Sequence, residues 1–382
     1  MQGFCIFRGD FMTQYYMQRA LQLAQLGRGH TNPNPMVGAV IVKNNKIIGE
    51  GYHQYCGGLH AERNAFLNCS EDPSGADLYV TLEPCCHHGR TPPCTDIIIE
   101  KNIKNVFVGS TDPNPLVAGK GIALLREKGI QVQTGILKEK CDDLNTVFFH
   151  YIKTKQPYVV MKYAMTADGK IATVTGDSKW ITSQKAREQV HHMRNALSAI
   201  MVGIGTVIAD NPLLNCRIPG GKNPIRIICD STLKIPLTSQ IVQTAKEIPT
   251  IIAFAKQEHK KQQMLEKAGI QLLYLPNQAG KVDLKALMKV LGEQEIDSVL
   301  LEGGATLNAC ALEYGIVQKI AVYIAPKIFG GNQAKTPIGG KGISFAKDAY
   351  GLCFKNCSKI GEDLLLEYDV KKAGEPSCLQ ES

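Results

Sequence analysis

The sequence predicts an α/β fold in two domains, and three observations carry that expectation. Helical and strand-like hydrophobic patterns alternate along most of the chain, the pattern that layered α/β architectures produce. The alternation breaks at the polar "KTKQP" (Lys153–Pro157) and starts again at "YVVMKYAM". The chain has 382 residues, 44% hydrophobic and 20% charged, enough for two cores and no compositional basis for disorder.

The elements follow in order. Residues 1–12 ("MQGFCIFRGDFM") have too short an apolar core for a signal peptide and change character abruptly at Met12, so they are expected to be a disordered extension or the product of an upstream start codon. Tyr16, Met17, Ala20, Leu21 and Ala24 recur at helical spacing, and Gly27 supplies a stop. "VGAVIV", a Lys-Asn-Asn-Lys turn and "IIGEGY" read as a hairpin. Strand "LYVTLE", a helix from Thr95, strand "NVFVGS", a helix near Gly121–Lys128, strand "IQVQTGI" and a helix from Lys138 complete a domain over 13–152, with strands buried on both faces.

After the linker at 153–157, a second α/β domain is expected over 158–370. Its strands are "YVVMKYAM", "SAIMVGIG", "PIRIICD", "PTIIAFA", "IQLLYL", "DSVLLEGG", "QKIAVYIAP" and "EDLLLEYDV". Helical patterns fall at Ser183–Met193, Glu258–Ala268, Asp283–Leu291 and Thr306–Tyr314. The polar tail 371–382 is expected to fray.

Composition narrows the function. The net charge of +8 suits anionic small molecules as well as nucleic acid, but no dense Lys/Arg block argues for the latter. Aromatics make up 7% and are not interleaved with basic residues as a base-stacking groove requires. The longest apolar runs are strand-sized, so no membrane-spanning helix is expected. Thirteen cysteines at irregular spacing point to reduced thiols with a metal site, and so to a cytoplasmic protein.

The chemistry concentrates in "LHAERNAF" (Leu59–Phe66) and "TLEPCCHHGRTPPCTD" (Thr81–Asp96). His60, Cys85 and Cys94 are zinc-ligand types, and three protein ligands leave the fourth tetrahedral position for water. Zinc lowers the pKa of such a water to about 7. Glu62, two residues after His60, is placed to shuttle protons beside the metal. Adjacent residues seldom point both side chains at one metal, which argues against Cys86. A structural site of His60, Cys85, Cys86 and Cys94 stays open as the alternative, although it has no use for Glu62.

"H-A-E" followed by "P-C-x8-C" resembles the zinc-dependent nucleobase deaminases, whose signature is H-x-E then P-C-x-x-C, with a longer loop between the cysteines. With "NPNPMVGAVIV", "GEGYH", "TLEPC", "GRTPPC" and "DPNPLVAGKG", the chain from about Tyr15 to Val370 is similar to one branch in particular. That branch is the bifunctional riboflavin-biosynthesis family, a pyrimidine deaminase followed by a reductase. The resemblance implies a cytidine-deaminase-like three-layer domain and a dihydrofolate-reductase-like domain, one zinc per chain, and NADPH.

It also implies hydrolytic deamination of 2,5-diamino-6-(5-phosphoribosylamino)pyrimidin-4-one, then reduction of the ribosyl to a ribityl side chain. The partners implied are this phosphoribosylated pyrimidine and further copies of the chain, as a dimer or tetramer, with neither nucleic acid nor membrane. Asn34, His53, His87 and Arg90 are implied at the deaminase substrate, with His88 undecided. Taken alone, Asn34 reads as a turn residue, and the loop carrying His87 and Arg90 reads as solvated.

For the reductase, the resemblance implies a cofactor lining of Ala164, Trp180, Thr206, Asp210, Ser231 and the run Gly304, Ala305, Thr306, Leu307, Asn308, Ala309 and Cys310. Ser178, Arg194, Leu214, Arg217 and Glu302 are implied at the substrate, and Lys162 and Asp210 are candidates for polarising the sugar. The residues permit part of this independently. "SVLLEGGATLNACALEYG" is a strand, two glycines and a helix start, which can admit a phosphate. "VGIGTVIAD" lacks the third glycine of a dinucleotide fingerprint. Arg194 and Arg217 suit phosphate through paired donors, or are ordinary surface arginines. Trp180, the only tryptophan, reads blandly as core packing, and His191 and His192 as helix surface. Two rival functions remain: a nucleic-acid deaminase with an appended binding domain, and a non-catalytic scaffold held by zinc.

Overall fold

A computed structural model describes residues 2–87, 92–115 and 117–371. The chain divides into two compact units, Met1–Lys155 and Gln156–Ser382.

The first unit begins with helix α1 (Gln2–Gln25). Its backbone from Gln2 is continuous with the helical run from Tyr16, in a segment that carries no proline. Strands β1 (Gly38–Lys43) and β2 (Lys46–Tyr52) form the expected hairpin. Its two turn residues, Asn44 and Asn45, have φ of 52° and 61°, the left-handed pair that a tight hairpin turn demands and asparagine tolerates. Then follow α2 (Ala61–Leu67), β3 (Asp77–Leu82), α3 (Cys94–Glu100), β4 (Asn105–Ser110), α4 (Lys120–Glu127), β5 (Gln131–Thr134), α5 (Lys138–Leu144) and α6 (Thr146–Thr154).

The five strands lie in the order β2-β1-β3-β4-β5, antiparallel where β1 meets its neighbours and parallel from β3 onward. Alternation along β1 supplies two cores. Ala39 and Ile41 face Ala61, Ala65, Ile98 and Leu125. Val40 and Val42 face Met17, Ala20, Leu21 and Cys141. The result is a three-layer sandwich, with α1 and α5 on one face and α2, α3 and α4 on the other. β5 is a mostly exposed edge strand, so burial on both faces holds only for the central strands.

Two glycines set how closely the helices approach. A Cβ on Gly38 would lie 2.0 Å from the Ala20 carbonyl oxygen of α1, and one on Gly51 would lie 2.2 Å from the Ala65 nitrogen of α2. Only a residue without a side chain fits at either point.

The expected linker is shorter than 153–157, because α6 takes Lys153 and Thr154. The second unit runs β6 (Tyr158–Thr166), α7 (Gln184–Ala196), β7 (Ala199–Gly203), α8 (Ile204–Asp210), β8 (Ile225–Cys229), α9 (Gln240–Gln243), β9 (Thr250–Phe254), α10 (His259–Lys267) and β10 (Gln271–Tyr274). It continues with α11 (Leu284–Glu293), β11 (Ser298–Leu301), α12 (Ala305–Glu313), β12 (Lys319–Ala325), β13 (Leu352–Ile360) and β14 (Asp363–Val370). The nine strands are ordered β10-β9-β8-β7-β11-β6-β12-β14-β13. All neighbours are parallel except at β14, which pairs antiparallel with β12 and β13.

One face packs Val159, Met161, Met201 and Leu301 against Leu287 and Leu291 of α11 and Ala311 of α12. The other packs Ile200, Val202, Ile228 and Ile252 against Ile241 of α9 and Leu265 of α10. Because β11 inserts between β7 and β6, the carboxyl ends of three strands open side by side at a change in winding direction, where open α/β sheets bind ligands. Helix α8 and strand β13 were not expected from the sequence. The tail 372–382 lies outside the described residues.

Gly51→Ala is expected to push α2 off β2, at about 1–3 kcal/mol for overpacking a tight core. Since α2 begins directly after His60, the same change should also lower zinc content; thermal melts and metal analysis of the variant check both.

Candidate functional site

In the first unit, His60 is the N-cap residue of α2, in extended conformation (φ −70°, ψ 161°), and Glu62 occupies the first helical turn. Cys85 follows the end of β3, and Cys94 is the first residue of α3. The Cys94 backbone nitrogen donates to Cys85 Sγ at 3.3 Å, and the Thr95 nitrogen to the Cys85 carbonyl at 3.2 Å. The start of α3 is thereby tied to the end of β3.

His60 Nδ1 lies 3.4 Å from both Cys85 Sγ and Cys94 Sγ, and the three ligand atoms lie within 4.8 Å of one another. Zinc bonds of about 2.1 Å to nitrogen and about 2.3 Å to sulfur at tetrahedral angles put N and S about 3.6 Å apart. The cluster has the spacing of a zinc site, and Cys86 is not part of it. Hydrogen bonds from Cys94 and His60 push Cys85 down to about 4, even against burial, while Cys94 is pushed well up. Glu62 is 3% exposed, and burial pushes its carboxyl up against the pull of His60.

The wall beside this cluster contains His53 and Asn34. His53 is buried, and its ring meets that of His60 edge-on at 5.6 Å. Its Nδ1 lies 3.0 Å from the Leu59 carbonyl, which can only accept, so Nδ1 carries the proton and Nε2 accepts from the Asn34 amide at 3.3 Å. Burial lowers its pKa, which keeps the ring neutral. His87 has a buried Nδ1 with no hydrogen-bond partner among the described residues. His88 and Arg90 lie outside the described residues.

Sequence reasoning missed two residues here. Glu83 is buried, and its carboxylate accepts from the backbone nitrogens of Asp112 (3.3 Å), Gly119 (2.9 Å), Gly121 (3.1 Å) and Ile122 (3.3 Å). It thereby fastens the 112–122 stretch to the end of β3; the signal was a strand-end carboxylate with no cation near it in sequence. Arg63 donates to the carbonyls of Pro92 (3.2 Å) and Pro93 (2.9 Å), directly before ligand Cys94.

In the second unit, a charged cluster sits at the carboxyl end of β11, level with the middle of β6. Glu302 takes a two-pronged ion pair from Arg194, Nε to Oε1 at 2.9 Å and Nη2 to Oε2 at 3.1 Å, with Lys162 Nζ 3.8 Å from Oε2. Burial alone would raise Glu302, but Arg194 and Lys162 outweigh it and hold the carboxyl at about 2. Burial lowers Lys162 in spite of Glu302. The Arg194 fork is engaged by Glu302, and its Nη1 donates to the Asn215 carbonyl at 3.1 Å.

Arg217 is exposed and donates from Nε to His191 Nε2 at 3.2 Å, so His191 is more than helix surface; His192 is exposed. Leu214 has its side chain buried in the second unit's core, which leaves only its backbone for a substrate. Asp210, exposed at the end of α8, takes no part in the Glu302 cluster. Ser178 is half-buried.

Trp180 is not core: it is 61% exposed, with the Arg187 guanidinium 4.6 Å from its ring centroid and its carbonyl held by Lys327 Nζ at 2.8 Å. Gly304 is the N-cap position of α12, and a Cβ there would lie 3.8 Å from Thr206 Oγ1, so those two residues are neighbours. Beyond Gly304 the run splits by role. Ala305 and Ala309 pack against Gly339 and Gly340, Leu307 and Cys310 against the core, and Asn308 is buried with Nδ2 on the Pro337 carbonyl at 3.0 Å. Ser231 is pinned where β8 and β9 end, its Oγ accepting from the Val282 nitrogen at 3.2 Å. Ala164 is half-buried on β6.

Two family models match the chain, one for each unit. The cytidine and deoxycytidylate deaminase zinc-binding region matches residues 12–110, and the RibD C-terminal domain matches residues 157–366. Riboflavin biosynthesis protein RibD of Actinobacillus pleuropneumoniae is 59% identical over 355 residues, 93% of this chain and 94% of that protein. The chain belongs to the RibD family of riboflavin-biosynthesis proteins.

RibD of Escherichia coli is 39% identical over 366 residues, 92% of this chain and 98% of that protein. The solved RibD of Acinetobacter baumannii superposes with a TM-score of 0.85 at 35% identity, covering 95% of this chain and 100% of that one. A deaminase/reductase from Thermotoga maritima gives 0.84 at 38% identity with the same coverage. The first unit is a zinc-dependent deaminase domain of cytidine-deaminase-like fold. The second is a RibD reductase domain of dihydrofolate-reductase-like fold that uses a nicotinamide cofactor. No helix among the described residues is long and apolar enough to cross a membrane.

The cluster geometry predicts that Cys94→Ala loses its zinc whereas Cys86→Ala keeps it. Metal analysis of the two purified variants is the check; loss of zinc from Cys86→Ala would revive the structural four-ligand site.

Proposed function

We propose that the first unit deaminates 2,5-diamino-6-(5-phosphoribosylamino)pyrimidin-4-one and that the second reduces the resulting uracil's ribosyl group to ribityl with NADPH. The observation that carries the first half is the three-ligand cluster with a buried carboxylate two residues from its histidine. A scaffold site would fill its fourth position with protein and would have no use for a desolvated glutamate. The relatives' names and the Thermotoga maritima structure, described as a diaminohydroxyphosphoribosylaminopyrimidine deaminase and 5-amino-6-(5-phosphoribosylamino)uracil reductase, support the substrate.

His60, Cys85 and Cys94 would hold one zinc per chain. Bound zinc supplies a Lewis acid that makes water nucleophilic near neutral pH, and NADPH supplies a hydride. The rest falls to the chain's own residues. Glu62 takes a proton from the attacking water and returns protons to the ring nitrogen and the departing amine. Neutral His53, its tautomer fixed through Leu59, presents Nε2 and the Asn34 amide to the substrate. His87 and Arg90 are assigned to its sugar and phosphate.

In the second unit the amino end of α12, from Gly304 beside Thr206, suits a cofactor phosphate. Trp180, Ala164, Ser231 and the exposed Asp210 complete the proposed cofactor wall. Lys162 and Glu302 are assigned to the opened sugar and Arg217 to its phosphate, while Arg194 orients Glu302. Ser178 and the backbone of Leu214 complete that pocket. Self-association as a dimer or tetramer is supported by β13, an edge strand with Phe354 61% exposed.

Glu62→Gln is expected to keep its zinc, lose ammonia release by about 10²–10⁴-fold, and still reduce supplied uracil intermediate at the wild-type rate. Ammonia release and NADPH oxidation measured side by side on the full chain check this. Equal loss of both signals would contradict two separate chemistries.

A further inference from the structure

Arg226, on β8, is the largest fully buried side chain among the described residues, at 0% exposure. No carboxylate lies within ion-pair distance of it among the described residues; its partners are all neutral. Nε donates to Thr250 Oγ1 at 3.0 Å. Nη1 donates to Thr244 Oγ1 at 2.8 Å and to the Leu213 carbonyl at 3.3 Å, and Nη2 to the carbonyls of Ile241 and Ile248, each at 3.0 Å. All five N–H donors of the guanidinium are thereby used. The two threonines are themselves oriented, since their hydroxyls donate to the carbonyls of Gln240 (2.7 Å) and Ile248 (2.9 Å).

A buried charge without a direct ion pair is expensive, and desolvation pulls this one down to about 10 against the weaker opposing pull of Glu247. A core needing only volume would use leucine here. Four of its five bonds fasten the 241–250 stretch, and the fifth, to the Leu213 carbonyl at 3.3 Å, ties that stretch to the loop that follows α8. Leu214, with φ +54° and its side chain buried, is flanked by two carbonyls that each accept from a guanidinium. The Leu213 carbonyl is held by Arg226 from the core side, and the Asn215 carbonyl by Arg194, the partner of Glu302, from the site side. Two residues further on, Arg217 reaches His191.

We infer that Arg226 is a positioning residue for the reductase: it mounts the 213–217 loop on the core, and so sets where Arg217 and the Leu214 backbone meet the phosphorylated substrate. The inference rests on reading the Arg194–Glu302 cluster and this loop as the reductase's substrate side. Lysine, with three donors on one nitrogen, cannot serve five acceptors spread around a planar fork.

The test uses the full chain with zinc, NADPH and the deaminated phosphoribosylamino uracil. In Arg226→Met and Arg226→Lys, KM for that substrate is expected to rise about tenfold or more, with ammonia release and the KM for NADPH changed less than about twofold. Thr250→Val removes a single acceptor and should give a smaller rise in the same direction; it decides the matter if the arginine variants do not fold. A residue with a merely structural role would lower Tm and leave KM of the folded fraction unchanged. Wild-type KM in folded Arg226→Lys or Thr250→Val therefore overturns the inference. Wild-type protein that oxidises no NADPH with this substrate would instead sink the functional reading on which it rests.

Discussion

The close approach of α2 to β2 is the constraint on which the first active centre depends. Gly51 leaves room for the backbone of Ala61 and Ala65, so α2 lies directly on the strand, and its cap residue His60 arrives level with the end of β3. Because His60 caps the helix whose first turn holds Glu62, the proposed ligand and the proposed proton carrier cannot drift apart. The two cysteines come from the other side of the sequence gap, one at a strand end and one at a helix start, joined by the Cys94 nitrogen on Cys85 Sγ. Backbone packing sets the ligand geometry before a metal is considered.

The second unit solves a different problem. The site proposed there is a group of largely buried charges, where burial alone would raise the pKa of a carboxylate. Arg194 and Lys162 reverse that tendency for Glu302 and keep it ionised. A fixed anion between two cations leaves one positive charge in excess, a polar setting suited to a phosphorylated sugar that must be held while its carbon accepts hydride. Preorganised groups of this kind act without reorganising during the reaction.

Much of this was legible in the sequence, because it rests on short-range patterns. The Lys-Asn-Asn-Lys hairpin, the alternation of β1 and the H-A-E and P-C spacings are local, and local physics fixes them. What the sequence hid is long-range. Glu83 meets nitrogens 29 to 39 residues away, and Arg194 meets Glu302 across 108; no periodicity encodes such pairs. β13 was missed because its mostly exposed run lacks the apolar alternation that announces a strand, and only pairing with β14 makes it one. For Trp180 the bland alternative of core packing fails, since its ring lies exposed beside Arg187.

The central claim is that the deaminase zinc has three protein ligands and one open position. X-ray absorption at the zinc edge of the purified full chain tests it most directly, because it counts ligand atoms by element and distance. The account predicts two sulfurs at about 2.3 Å and two lighter atoms, imidazole nitrogen and solvent oxygen, at about 2.0–2.1 Å. Three sulfurs with one nitrogen would mean that Cys86 closes the site, and that the first unit holds a structural metal rather than a catalytic one.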